Sequence, residues 1–196
     1  MSSSTLLDRW LSAVVATPGL TALEGDEARR VLRDDSLAGV PLVSALDGPI
    51  VDVGSGGGAP GIPLAASLPD REVTLLEAQG KKAEFLRGWV AELPNLRVAA
   101  GRAEEQPLEE FGVAVAKALA HPPTAAEWTL PLVRPGGAAV LWVGPSADAD
   151  AGARACEKLN AELAESPPGF LVLRKLGPTP PAFPRRPGVA KKRPLA

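Results

Sequence analysis

The chain has a single cysteine, Cys156, and a single histidine, His121. One cysteine excludes an intrachain disulfide framework and a multi-cysteine zinc site, and one histidine excludes a His-rich metal site. No metal is expected, and an intracellular, cytoplasmic setting is. No apolar run approaches the roughly 20 residues that cross a bilayer, so no membrane is expected. The N-terminus has Asp8 beside Arg9 and a short apolar run without a basic leader, so a secretory signal is not expected either. Acids are absent from Arg174 to Ala196, where seven basic residues fall: Arg174, Lys175, Arg185, Arg186, Lys191, Lys192 and Arg193. The other residues carry 14 basic and 23 acidic side chains, a net charge of −9 within a chain of −2. A basic end on an acidic body suggests a polyanion contacted locally; a solvated, disordered end is the plainer reading.

What is present is an ordinary globular mix, 45% hydrophobic and 22% charged over 196 residues. The length favours one domain with its own core. Residues 1–48 read as an N-terminal helical segment, with apolar spacing broken at Pro18 and Gly19. Residues 49–176 read as a core in which strands (50–54, 72–78, 96–101, 113–119, 138–144, 169–176) alternate with helices (about 60–68, 81–93, 123–133, 147–165), residues 103–111 being a short helix or loop. That alternation predicts an α/β fold, a mostly parallel sheet with helices on both faces. Residues 177–196 form a basic, proline-rich tail, expected to be extended and without a core of its own.

In such a sheet, ligands bind at the carboxyl ends of the strands, near the switch point. The first strand runs into "VDVGSGGGAPGIPLA", residues 51–65. From Gly56 the loop reads G-x-G-x-x-G, a dinucleotide pattern; from Asp52 it reads D-x-G-x-G-x-G, which suits S-adenosylmethionine. Four glycines at 54, 56, 57 and 58 exceed what a bare turn needs. Pro60 and Pro63 are tolerable if the helix starts near 59 or 60, because first-turn amides have no intrahelical partner. Glu77, closing the second strand, suits the hydroxyls of a ribose in either ligand. Asp52 discriminates: beside a pyrophosphate a carboxylate repels, whereas it attracts a sulfonium and an ammonium. Asp52 can also be a buried cap for the loop amides, and both roles can hold together.

The glycine loop, with its Pro-Gly-Ile-Pro continuation, resembles that of the RsmG (GidB) family of small-subunit rRNA guanine-N7 methyltransferases. "EAQGKKAEFLR" (77–87), "GRAEE" (101–105), "FGVAVAKALA" (111–120), "LVRPGG" (132–137) and "TPPAFPRRPGVAKKRPL" (179–195) resemble family segments in the same order. The resemblance implies a Rossmann-like methyltransferase fold and S-adenosylmethionine as cofactor. It implies methylation of N7 of one guanine, 527, in the 530 loop of 16S rRNA, with 16S rRNA or an assembling small subunit as partner. On this reading the cofactor-binding residues are Asp52, Gly54, Gly56, Gly58, Ala59, Glu77, Ala103, Glu104 and Lys117. Lys117, where the family usually has arginine, would also position the reactants; it keeps the charge and loses the planar fork. Arg185, Arg186, Lys191, Lys192 and Arg193 would meet RNA phosphates, unless the tail instead packs over the sheet.

Guanine N7 has a free lone pair at neutral pH, so this chemistry needs no general base, and the sequence offers no acid/base dyad. His121 is expected to be structural or exposed. Trp10, Trp89, Trp128 and Trp142 are expected in the core. A non-catalytic RNA-binding relative, a methyltransferase for another substrate and an NAD-linked oxidoreductase are the other readings.

Overall fold

The computed structural model describes residues 3–195. Seven strands form one sheet in the order β3-β2-β1-β4-β5-β7-β6. They are β1 (Ile50–Val53), β2 (Val73–Glu77), β3 (Leu96–Ala100), β4 (Phe111–Lys117), β5 (Val133–Trp142), β6 (Ala161–Ala164) and β7 (Phe170–Lys175). The first five run parallel, and β7 is antiparallel to both β5 and β6. The centre is buried on both faces: all four residues of β1 are buried. That burial is why these strands read as continuous apolar runs rather than alternating ones.

The helices divide between the two faces. α1 (Ser3–Ala16), α5 (Gly61–Ser67) and α6 (Gly80–Arg87) cover one, with Leu7, Trp10, Val14, Ile62, Leu64 and Leu86 in its core. α7 (Pro122–Thr129) and α8 (Ala149–Glu157) cover the other, through Ala125, Ala126, Ala155 and Cys156. Between α1 and β1 the chain forms a helical stretch: α2 (Gly25–Ala28), a π-turn segment (Arg29–Asp34), α3 (Asp35–Ala38) and α4 (Val40–Ser44).

Two expectations are corrected. The stretch 147–165 is not one helix: α8 ends at Glu157, Asn160 takes a left-handed φ of 52°, and residues 161–164 become the edge strand β6. The tail is not a free extended arm. It folds back on α7 and α8, with a short helix α9 (Val189–Lys192), a buried Ala190 and Leu195, and a Thr124 Oγ1 to Ala190 carbonyl hydrogen bond of 3.3 Å.

Candidate functional site

The sheet order reverses direction between β1 and β4, and a cavity of about 390 Å³ opens at the carboxyl ends of the strands there. Each strand of this half sends residues into it: Gly54 and Gly56 after β1, Glu77 and Gln79 at β2, Gly101 to Glu104 after β3, Ala118 and Leu119 after β4. Trp128 of α7 closes a wall.

Glu77 is the fixed point. Its side chain is buried, with Oε2 accepting from the Gly56 amide (2.9 Å) and Oε1 from the Gln79 amide (2.7 Å). Each carboxylate oxygen has a second lone pair, so Glu77 is oriented by the loop and still able to accept from a ligand hydroxyl. At Gly56, φ is +57° and an added Cβ would meet nothing nearer than the Gly54 carbonyl at 3.9 Å. A side chain there would occupy cavity space that a ligand needs.

The rest of the glycine loop faces the other way. Cβ atoms at Gly57 and Gly58 would press on Val14 and on Ile62 and Trp10, so these glycines admit α1 against the loop. The Trp10 indole, fully buried, donates to the Gly57 carbonyl at 2.8 Å. Gly58 and Ala59, expected at the cofactor, are therefore packing residues outside the cavity wall.

Asp52 is likewise outside it. In a strand, alternate residues share a face, and Asp52 shares that of Ile50, toward α5. Its Oδ2 accepts from the Gly61 amide at 3.0 Å, the cap reading of this residue. Oδ1 has no hydrogen-bond partner among the described residues, and burial pushes the carboxyl up to about 7. The discrimination that Asp52 provides survives by a different route. A dinucleotide loop offers its helix N-terminal amides to a pyrophosphate; here Asp52 already occupies one of them.

Ala103 and Glu104 line the cavity as expected. Glu104 Oε1 also accepts from Trp128 Nε1 (3.0 Å) and from the Gly188 amide of the tail (3.2 Å). Trp128 was expected in the core; it is half-buried and part of the site. Sequence reasoning missed Gln79, Lys82, Gly101, Arg102 and Leu119. The strand–loop boundaries at 77–79 and 101–104 were the available signal, since residues just past a strand's carboxyl end are the ones a switch-point ligand meets.

Lys117 does not line this cavity. Its Nζ donates to the Val31 carbonyl at 2.7 Å, tying the end of β4 to the N-terminal helices, and burial lowers its pKa. It lines a second cavity of about 460 Å³, which shares Ala118 with the first. His121 is exposed, precedes α7 and lines neither cavity, although it borders an adjoining hollow that shares Ala118 with both.

The basic residues of the C-terminal segment separate into two groups. Arg185, expected at an RNA phosphate, is engaged within the fold: its guanidinium pairs through both Nε (2.7 Å) and NH2 with Glu127, which is fully buried on α7. Lys175 is buried as well, donating to the Leu130 carbonyl (2.9 Å) and Thr179 Oγ1 (2.7 Å), with burial lowering its pKa to about 8. Arg186, Lys191, Lys192 and Arg193 are exposed, and none of their side chains makes an ion pair among the described residues. Among the described residues no helix is long and apolar enough to cross a membrane, and no group of His, Cys, Asp and Glu could hold a metal ion.

Comparisons with known proteins bear on the family and the fold. Residues 19–166 match the family model GidB, described as rRNA small subunit methyltransferase G. The ribosomal RNA small subunit methyltransferase G of Moorella thermoacetica is 37% identical, over 90% of this chain and 82% of its own length. Two solved structures share the fold. A TehB-like SAM-dependent methyltransferase from Corynebacterium glutamicum has a TM-score of 0.56 at 15% identity, covering 88% of this chain and 97% of that one. A T. thermophilus 16S rRNA methyltransferase, solved with AdoMet and guanosine, has a TM-score of 0.56 at 17% identity, covering 79% and 42%. With a family model spanning most of the chain, and a relative matched nearly end to end, the chain belongs to the rRNA small subunit methyltransferase G family.

Proposed function

We propose that this chain methylates N7 of a guanine in the 530 loop of 16S rRNA, using S-adenosylmethionine, in the cytoplasm. The observation that carries the reading, beside family membership, is Glu77, pinned by two loop amides at the mouth of an open switch-point cavity. The cofactor supplies an electrophilic methyl group on a sulfonium. Glu77 would accept its ribose hydroxyls. The bare Cα of Gly56 would admit its body, and Ala103, Glu104 and the Trp128 wall would border its base.

The acceptor nitrogen has its lone pair free at neutral pH, so no side chain need remove a proton. The protein's contribution is positioning, for which well-oriented reactants reach effective molarities on the order of 10⁵ M or more. Arg186, Lys191, Lys192 and Arg193 supply an exposed positive patch for RNA phosphates on an otherwise acidic molecule.

Mass mapping of methylated guanines in 16S rRNA, with and without the gene, tests the reaction. Loss of one 7-methylguanosine in the 530 loop is expected on deletion. An unchanged modification map refutes the reading. Calorimetry with S-adenosylmethionine against NAD tests the ligand.

A further inference from the structure

The second cavity is built from three strand ends and one helix. Lys117, Trp142 and Phe170 lie side by side in the sheet, paired in register as the last residues of β4 and β5 and the first of β7. Trp142 and Phe170 meet edge to face, with ring centroids 5.2 Å apart. Asp35 and Ala38 of α3 complete the lining. The Trp142 indole donates to the Asp35 main-chain carbonyl at 2.8 Å, fixing helix and ring together. Gly39 makes this possible, since any Cβ there would collide with the indole.

The Asp35 side chain, in contrast, is uncommitted. It makes no hydrogen bond or ion pair among the described residues, although it lies near enough to Lys117 for the two charges to interact. The cavity thus offers apolar and aromatic walls, the Lys117 side chain, and Asp35, whose carboxylate has no hydrogen-bond donor among the described residues. It adjoins the cofactor cavity at Ala118, which belongs to both walls and takes a left-handed φ of 54°.

We infer that this cavity receives the target guanine, with the Asp35 carboxylate accepting hydrogen bonds from its N1–H and exocyclic amino group, so that Asp35 selects guanine over adenine. The inference rests on the methyltransferase reading above. A guanine presents two adjacent donors on its Watson–Crick edge, the pattern that a carboxylate accepts with two oxygens. Adenine presents an acceptor at N1 and would face the carboxylate lone pair to lone pair. N7 lies on the adjacent Hoogsteen edge of the purine, its lone pair pointing roughly at a right angle to N1–H. A base held by its Watson–Crick edge at Asp35 therefore leaves N7 uncovered, free to face the Ala118 wall shared with the cofactor cavity. Reaching such a pocket requires the base to leave its stack, as in other enzymes acting on bases.

The test compares 16S rRNA carrying either guanosine or inosine at the methylated position, with methyl transfer followed for the wild type, Asp35→Ala and Asp35→Asn. Inosine keeps N7 and N1–H and lacks only the amino group. The wild type should prefer guanosine by about tenfold or more in kcat/KM, the worth of one charge-assisted hydrogen bond. In both variants that ratio should fall toward one, while S-adenosylmethionine affinity and the melting temperature stay near wild type. A wild-type ratio near one, or an unchanged ratio in the variants, overturns the assignment of Asp35 and leaves the methyltransferase reading standing. No transfer to guanosine by the wild type overturns both.

Discussion

Replacing Arg185 with alanine should loosen the C-terminal segment rather than weaken RNA binding directly. Glu127 is fully buried and Arg185 is its partner, with a side chain only 25% exposed. Removing one member of a buried pair leaves an uncompensated charge, at a cost of roughly 3–5 kcal/mol. For a domain of this size each kcal/mol shifts the melting temperature by about 2–4 °C, so a drop of roughly 6–20 °C is the ceiling. The segment can undock and let water reach Glu127, which caps the loss at the free energy of docking. The assay therefore needs two readouts: thermal unfolding, and protection of residues 183–195 from proteolysis or hydrogen exchange. Arg185→Ala should lower the first, the second or both. Since Gly188 shares Glu104 with Trp128 at the cavity wall, undocking should also weaken S-adenosylmethionine binding. Arg185→Lys should be intermediate, because it keeps the charge and loses the two-pronged geometry. Arg185→Met combined with Glu127→Leu should recover most of the stability. A melting temperature within about 2 °C of wild type, with the segment still protected, would refute the structural role. An RNA salt slope that falls by one contact in a fully docked Arg185→Ala variant would restore the phosphate role.

The exposed cations give the complementary result. Replacing Arg186, Lys191, Lys192 and Arg193 with glutamine should reduce the slope of log K for RNA against log salt by up to about 3, at about 0.7 per single-strand phosphate, with melting temperature unchanged; an unchanged slope rules the patch out. Gly56→Val should abolish S-adenosylmethionine binding in calorimetry, because its φ of +57° resists a β-branched residue and the side chain would enter the cavity; wild-type heats would remove the loop from the site. Asp52→Asn should change the pH dependence of stability. Burial raises the Asp52 carboxyl to about 7, so its folded form favours the proton, and wild-type stability attributable to it is full below about pH 4 and falls as pH rises through 7. The asparagine variant keeps an acceptor for the Gly61 amide without the charge and should gain on wild type by roughly 2–4 kcal/mol at pH 8, the gain vanishing by pH 4; a pH-independent difference would refute this.

Much of this protein was legible in its sequence, for reasons tied to local chemistry. Strands β1 to β4 and the second half of β5 are short, mostly apolar runs separated by turn and helix signals, and their alternation pointed to an α/β sheet. Glu77 and Gly56, which line the cavity, were legible as candidates because they sit at or just past strand ends, where such sheets meet their ligands. The edge strand β6 was not legible: "LNAELAE" carries helix-favouring residues, and only pairing with β7 makes it a strand. The direction in which a side chain points was also beyond the sequence. Asp52 belongs to the ligand pattern by spacing, but the two-residue period of β1 turns it toward α5 and its cap. Arg185 and Arg186 are adjacent and chemically identical, yet one is neutralised by a buried glutamate 58 positions away and the other is in water. Local sequence sets propensity, charge and spacing; only the folded chain decides which face of a strand meets the cavity and which charge finds a buried partner.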